Sequence, residues 1–189
     1  MSARSEISQP ISPSTRLIAH LKISCHKEGF KSLAVLLLSF LLTFAAGAVG
    51  ALASVSAQQT YALIKQPTWA PPAWIFGPVW TSLYVLMALA AWLVWRQRER
   101  MRIDIALIVY AVHLLIQALW SWLFFGIGRA DLAMLDILIL GTIIAWLTFV
   151  FWRVDRLAGI FFTPYLLWVT FATILNASLW YLNGGKLPM

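Results

Sequence analysis

The residues best suited to do chemistry fall in two apolar stretches. His113, Gln117, Trp120 and Phe124 are spaced i, i+4, i+7 and i+11, which places them on one face of a helix. Pro164, Trp168, Phe171 and Leu175 share a second face, with Ala172 and Asn176 beside it. An indole plane, a gap left by alanine and an amide tip would suit a flat, largely apolar ligand carrying a few hydrogen-bonding groups. The same stripes also serve simple interhelical packing, with Gln117 and Asn176 as satisfied amides. Both readings stay open on the residues alone. Asp136 stands within an apolar run, where a carboxylate needs a partner on a neighbouring helix, a bound proton or a route to water.

Other chemistry is sparse. There is no phosphate-binding glycine loop and no legible Ser/His/Asp arrangement. Cys25 is the lone cysteine, so no intrachain disulfide forms, and no Cys/His spacing suits zinc. His20 and His26 are six residues apart in a basic tail and read as solvated side chains. Asp104 and Asp131 stand near helix starts, where the helix dipole favours a carboxylate. No catalytic residue and no metal ligand is assigned.

The elements that carry these residues must be membrane helices. The chain has 189 residues, 61% of them hydrophobic and 11% charged, against about 25% charged in a soluble domain. Five apolar runs, at about 33–54, 73–95, 103–127, 130–152 and 157–182, are long enough at ~1.5 Å per residue to cross a hydrocarbon core of ~30 Å. None alternates strictly, and lipid-exposed backbone must bond internally, so helices are expected rather than barrel strands. The fold class predicted is all-α: a polytopic bundle of five transmembrane helices. Residues 32–189 form the membrane domain and residues 1–31 a basic N-terminal extension. Within that extension Ser2–Ser14 is expected to be disordered, and Thr15–Lys31 either to lie on the membrane surface or to act in targeting.

The net charge of +7 follows topology rather than a nucleic-acid surface. Eleven basic residues fall in the N-terminal tail, the 96–102 loop and the 153–156 loop, against Lys65, Arg129 and Lys186 on the other side. This bias predicts a cytoplasmic N-terminus. The small residues Ala46, Gly47, Gly50 and Ala51 allow close helix approach, inside the bundle or at a homodimer seam. The first long loop, 55–72, carries Pro67, Trp69, Pro71 and Pro72. It is expected to be stiff and non-helical, acting as a lid over a pocket or as an interfacial anchor. Leu179, Tyr181 and Lys186 match a weak cholesterol-type pattern.

The run Tyr61, Pro67, Trp69, Pro71-Pro72, Trp74, Phe76, Pro78, Trp80, Thr81 and Tyr84 resembles the signature of the tryptophan-rich sensory protein/translocator protein (TspO/MBR) family. Animal members are also called peripheral-type benzodiazepine receptors. Trp120 followed by Phe124-Phe125, and Pro164-Tyr165, Trp168, Phe171-Ala172 and Leu175-Asn176, extend the resemblance over about 33–182. It implies a five-helix bundle, commonly a homodimer, with a pocket under the first loop. The implied ligands are protoporphyrin IX, haem and sterols, with no required cofactor, and also isoquinoline and benzodiazepine drugs. By matching position, Trp69, Phe76, Trp80, Gln117, Trp120, Phe124, Trp168, Ala172 and Asn176 would bind them. Gln117 stands where the family often has Asn, and Leu132 where some animal members have Trp. The resemblance also admits light-dependent porphyrin breakdown, with Trp80 and Trp168 as electron or radical partners. A third reading is small-molecule transport, proton-coupled through Asp136. A bacterial cytoplasmic membrane is the expected location, with the mitochondrial outer membrane or ER as the alternative.

Overall fold

The computed structural model describes the backbone of residues 13–55 and 57–184 and the side chains from residue 28 onward. The polar stretch expected to be disordered therefore lies, up to residue 12, outside the described residues, as do the side chains of His20, Cys25 and His26 and all of Lys186. Among the described residues every regular element is helical, in agreement with the all-α expectation.

The chain falls into two units, residues 1–35 and 36–189. In the first, the backbone is helical from Pro13, where proline costs a helix nothing because its missing N–H has no helical acceptor. Lys31 Nζ donates to Glu28 Oε1, one turn earlier, at 2.8 Å.

The helices are α1 (Pro13–Ala53), α2 (Ala57–Leu63), α3 (Phe76–Arg96), α4 (Asp104–Ser121), α5 (Ala130–Val154) and α6 (Arg156–Asn183). Five segments are long and apolar enough to span: Glu28–Ala53, Ala73–Arg96, Asp104–Gly126, Ala130–Val154 and Arg156–Asn183. Their lipid-facing surfaces are studded with exposed leucine, isoleucine and phenylalanine, as a chain solvated by acyl chains requires.

The larger unit is organised around the α5–α6 hairpin, its most extensive helix pair. Ile137, Leu140, Ile144, Leu147 and Phe151 line the inner face of α5, and Ala158, Phe162, Tyr165 and Val169 that of α6. Both sets follow the three-and-four spacing of a helical face. The turn between the two helices is a single residue. Asp155 caps α6, its Oδ1 accepting from Leu157 N at 2.9 Å and Ala158 N at 3.1 Å. Gly159 lets the hairpin close, because a Cβ there would stand 2.4 Å from Trp152 Cγ.

From Leu36 onward α1 meets α3 and α4 through small residues and hydroxyls. Ser39 Oγ donates to Ala88 O at 2.7 Å, and Thr43 Oγ1 lies 2.7 Å from the Tyr110 hydroxyl. Gly47 faces the Tyr84 ring and Gly50 faces Ser121. The two glycines of the small-residue stripe thus face the bundle interior.

Two local expectations are corrected. The loop 55–72 is not wholly non-helical: α2 occupies Ala57–Leu63. The prolines that forbid helix begin only at Pro67, whereas AQQTYAL contains none and buries Tyr61. The third span is not one plain helix either. After Ser121 the chain makes a π turn, Trp122–Gly126, with Ile127 N donating to Trp122 O at 3.0 Å. Gly128, at a φ of 64°, then leads into α5, a backbone region open to glycine at little cost.

Candidate functional site

The loop end of α3, α4 and α6, with the 47–55 segment of α1 and α2, encloses a cavity of about 520 Å³, within the range of small-molecule sites. Eight of the residues anticipated from the sequence line it: Phe76, Trp80, Gln117, Trp120, Phe124, Trp168, Ala172 and Asn176. Helical spacing explains the convergence. Phe76 and Trp80 are one turn apart at the start of α3, and Trp168, Ala172 and Asn176 are successive turns of α6.

The walls are held by ring contacts. Trp120 and Phe124 stack, with centroids 4.9 Å apart and planes 17° from parallel. Phe76 meets Trp168 edge-to-face at 5.8 Å, and Trp80 meets Tyr165 in the same way at 6.1 Å. These are the geometries that the ring quadrupole favours. Gly47, Gly50, Ala51 and Ser54 of the α1 segment also line it. Small residues among the rings leave space.

Trp69 is placed differently. It is not among the cavity-lining residues. It is 46% exposed, and its ring meets Phe171 edge-to-face at 5.9 Å. It belongs to a strap over the loop end. Asn183 ties that strap down: its Nδ2 donates to Lys65 O, and Lys65 N donates to its Oδ1, both at 2.9 Å. The Tyr61 hydroxyl donates to Pro71 O at 3.1 Å, and Gln66 Nε2 donates to Tyr61 O. Burial pushes the Tyr61 phenol above its ordinary pKa, so it remains a donor at neutral pH.

The polar groups around the cavity are partly spent. Gln117 Nε2 donates to the Tyr84 hydroxyl at 2.8 Å, and Asn176 Nδ2 donates to Ala130 O at 3.2 Å. Gln117 Oε1, Asn176 Oδ1, Trp120 Nε1 and Trp168 Nε1 are buried and make no hydrogen bond within the protein. Two acceptors and two donors are therefore left unpaired beside the cavity, and a buried polar group left unpaired is costly. No charged side chain stands among the lining residues. The cavity suits a neutral, flat body whose charged substituents stay at the mouth.

Several residues lie outside the site or were not anticipated. His113 is fully buried beside the Tyr110 carbonyl and does not line the cavity. Asp136 is buried, and its Oδ2 has no partner among the described residues; the partner expected on a neighbouring helix is not found. Tyr84, the acceptor of the Gln117 amide, belongs to the signature run but was not anticipated as a site residue, although it stands one turn beyond Trp80. The small residues of α1 were anticipated as a face for close helix approach but not as cavity lining, because glycine and alanine carry no chemistry that points to a ligand. No group of three His, Cys, Asp or Glu suited to a metal occurs among the described residues.

Comparison with known proteins agrees with this architecture. The TspO/MBR family profile matches residues 39–182. Protein CrtK of Rhodobacter capsulatus is 37% identical over 159 residues, covering 84% of this chain and 98% of the relative. The tryptophan-rich sensory protein of Cereibacter sphaeroides is 38% identical over 149 residues, 77% of this chain and 92% of its own. The human translocator protein is 34% identical over 129 residues, 66% and 75% of the two chains. The matched region takes in all the lining residues of the cavity, and the chain belongs to the TspO/MBR family.

Proposed function

We propose that this membrane protein binds tetrapyrroles, protoporphyrin IX or haem, and regulates their availability, with sterols as a second ligand class. One observation carries the reading: a cavity lined by Phe76, Trp80, Trp120, Phe124 and Trp168 together with glycine and alanine of α1. A macrocycle offers a planar apolar face to the rings, and pyrrole N–H and nitrogen groups to amide oxygens and indole N–H groups that are unpaired within the protein. Its carboxylates would remain at the mouth, where water and headgroups solvate them. Trp69 and the strap tied by Asn183 would cover the bound ligand.

The test is a protoporphyrin IX titration of the detergent-purified full chain, reading tryptophan quenching in the dark. Saturable quenching, weakened by Trp168→Ala, is the expected result. Quenching that rises linearly without saturation would exclude the porphyrin assignment. Repeating the titration under illumination separates binding from breakdown. Trp80 and Trp168 both stand at the cavity wall, so new absorbing products that require light and oxygen would favour an enzymatic role.

The bias of the basic loops supports a cytoplasmic N-terminus, and a bacterial cytoplasmic membrane is the proposed location. Cys25, the lone thiol, reports on this directly. A membrane-impermeant maleimide should label it only after lysis; labelling in intact cells would reverse the orientation. A homodimer is proposed as the working assembly, to be read by light scattering in detergent.

A further inference from the structure

The two ends of the bundle treat their cations differently. At the loop end Arg129 is neutralised: its Nε and Nη2 donate to the two oxygens of Asp131 at 2.8 and 2.7 Å. At the other end Arg96, Arg100, Arg102, Arg153 and Arg156 are exposed, and none has an ion pair among the described residues. Three carboxylates share that end with the six arginines, and Asp104, in the first turn of α4, is exposed without an ion pair among the described residues. Asp155 caps α6 and accepts from Gln97 Nε2 at 3.1 Å, and Glu99 lies 3.5 Å from Arg98. The Gln97–Asp155 bond also joins the two loops, so the arginines of both stand at one end.

Several guanidiniums of this end, the Glu99-paired Arg98 among them, are held over rings. Arg98 lies 3.7 Å from the centre of the Trp95 ring, Arg96 lies 5.0 Å from that of Trp92, and Arg153 lies 5.7 Å from that of Phe149. Phe149 is 61% exposed on a spanning helix, so its ring faces acyl chains. A guanidinium stacked on such a ring sits at the boundary between hydrocarbon and headgroup.

We propose that this end of the bundle is a binding surface for anionic phospholipid, with the arginines of the 96–102 and 153–156 segments taking the phosphate groups and the ring-bearing helix faces taking the acyl chains. Guanidinium suits phosphate because its planar donors pair bidentately. The rings select a lipid over free phosphate, since only the lipid also covers apolar surface. Each basic side chain near an anionic surface adds about 1 kcal/mol, roughly fivefold in affinity. The proposal is independent of what occupies the cavity.

The experiment is native mass spectrometry of the full chain in detergent, titrated with phosphatidylglycerol or with phosphatidylcholine of the same acyl chains. Wild-type protein should retain phosphatidylglycerol with roughly tenfold or greater preference. Arg100→Gln/Arg102→Gln/Arg156→Gln should bring the two lipids close to parity, while Arg129→Gln at the opposite end leaves the preference intact. Equal retention of both lipids by wild-type protein, a measurement that needs no variant, overturns the proposal. So does a triple variant with undiminished preference. Displacement of phosphatidylglycerol by inorganic phosphate at matched ionic strength would also overturn it, in favour of a free-phosphate site.

Discussion

The two halves of the bundle are built by the same helices, α3 to α6, yet one is filled and the other hollow. At the basic end Phe162 meets Phe151 at 4.8 Å, His113 at 6.0 Å and Tyr110 at 6.2 Å, and Met87, Val94, Ile144 and Leu147 fill the space between. At the loop end the rings are as numerous, but they share the lining of a cavity of about 520 Å³ with Gly47, Gly50 and Ala51. The cavity thus arises where large side chains have small neighbours. Rings against rings close a core, whereas rings among glycine and alanine leave space. In lipid this matters more than in water, because helix association rests on packing rather than on expulsion of water.

The largest test of this contrast lies in the filled half. Phe162→Ala removes a ring with no exposure and should cost about 3 kcal/mol, the lower end of the usual range, since in a bilayer the packing part dominates. Thermal unfolding in detergent measures it, and a cost near zero would mean that this half is not close-packed.

Next comes the hairpin turn. Gly159→Ala drives a Cβ to within 2.4 Å of Trp152 Cγ, an overpacking of about 2 kcal/mol. Gly141→Ala, on the same hairpin with nothing within 4 Å, should be neutral or slightly stabilising through helix propensity. Equal effects of the two substitutions would remove the steric account.

In the hollow half, stability and binding should separate. Ala172→Leu places its side chain in the cavity and should weaken protoporphyrin IX binding roughly tenfold, about 1.4 kcal/mol. Unfolding should shift by less than about 1 kcal/mol because there is room for the added atoms. Equal losses of both would show that the cavity is not free space. The smallest effect is expected at the strap. Asn183→Ala removes both hydrogen bonds to Lys65, each worth about 1 kcal/mol. Amide exchange over residues 64–72 should accelerate, with unfolding of the bundle little changed.

The amino-acid sequence by itself determined the class of fold and most of the aromatic wall. Apolar runs longer than a bilayer admit little besides helices. Once these are helices, Trp120 and Phe124, or Trp168, Ala172 and Asn176, must share a face whatever they pack against. Spacing could not say whether such a face looks at a neighbour or at a space, because that depends on the opposing residue. Only the tertiary structure brought Gly47, Gly50 and Ala51 of α1 to the same cavity as those rings. It also set the Trp69 ring of the loop against Phe171, and brought Asn183 to Lys65 across 118 positions. These are long-range pairings with no local periodicity to announce them, decided by which helices become neighbours.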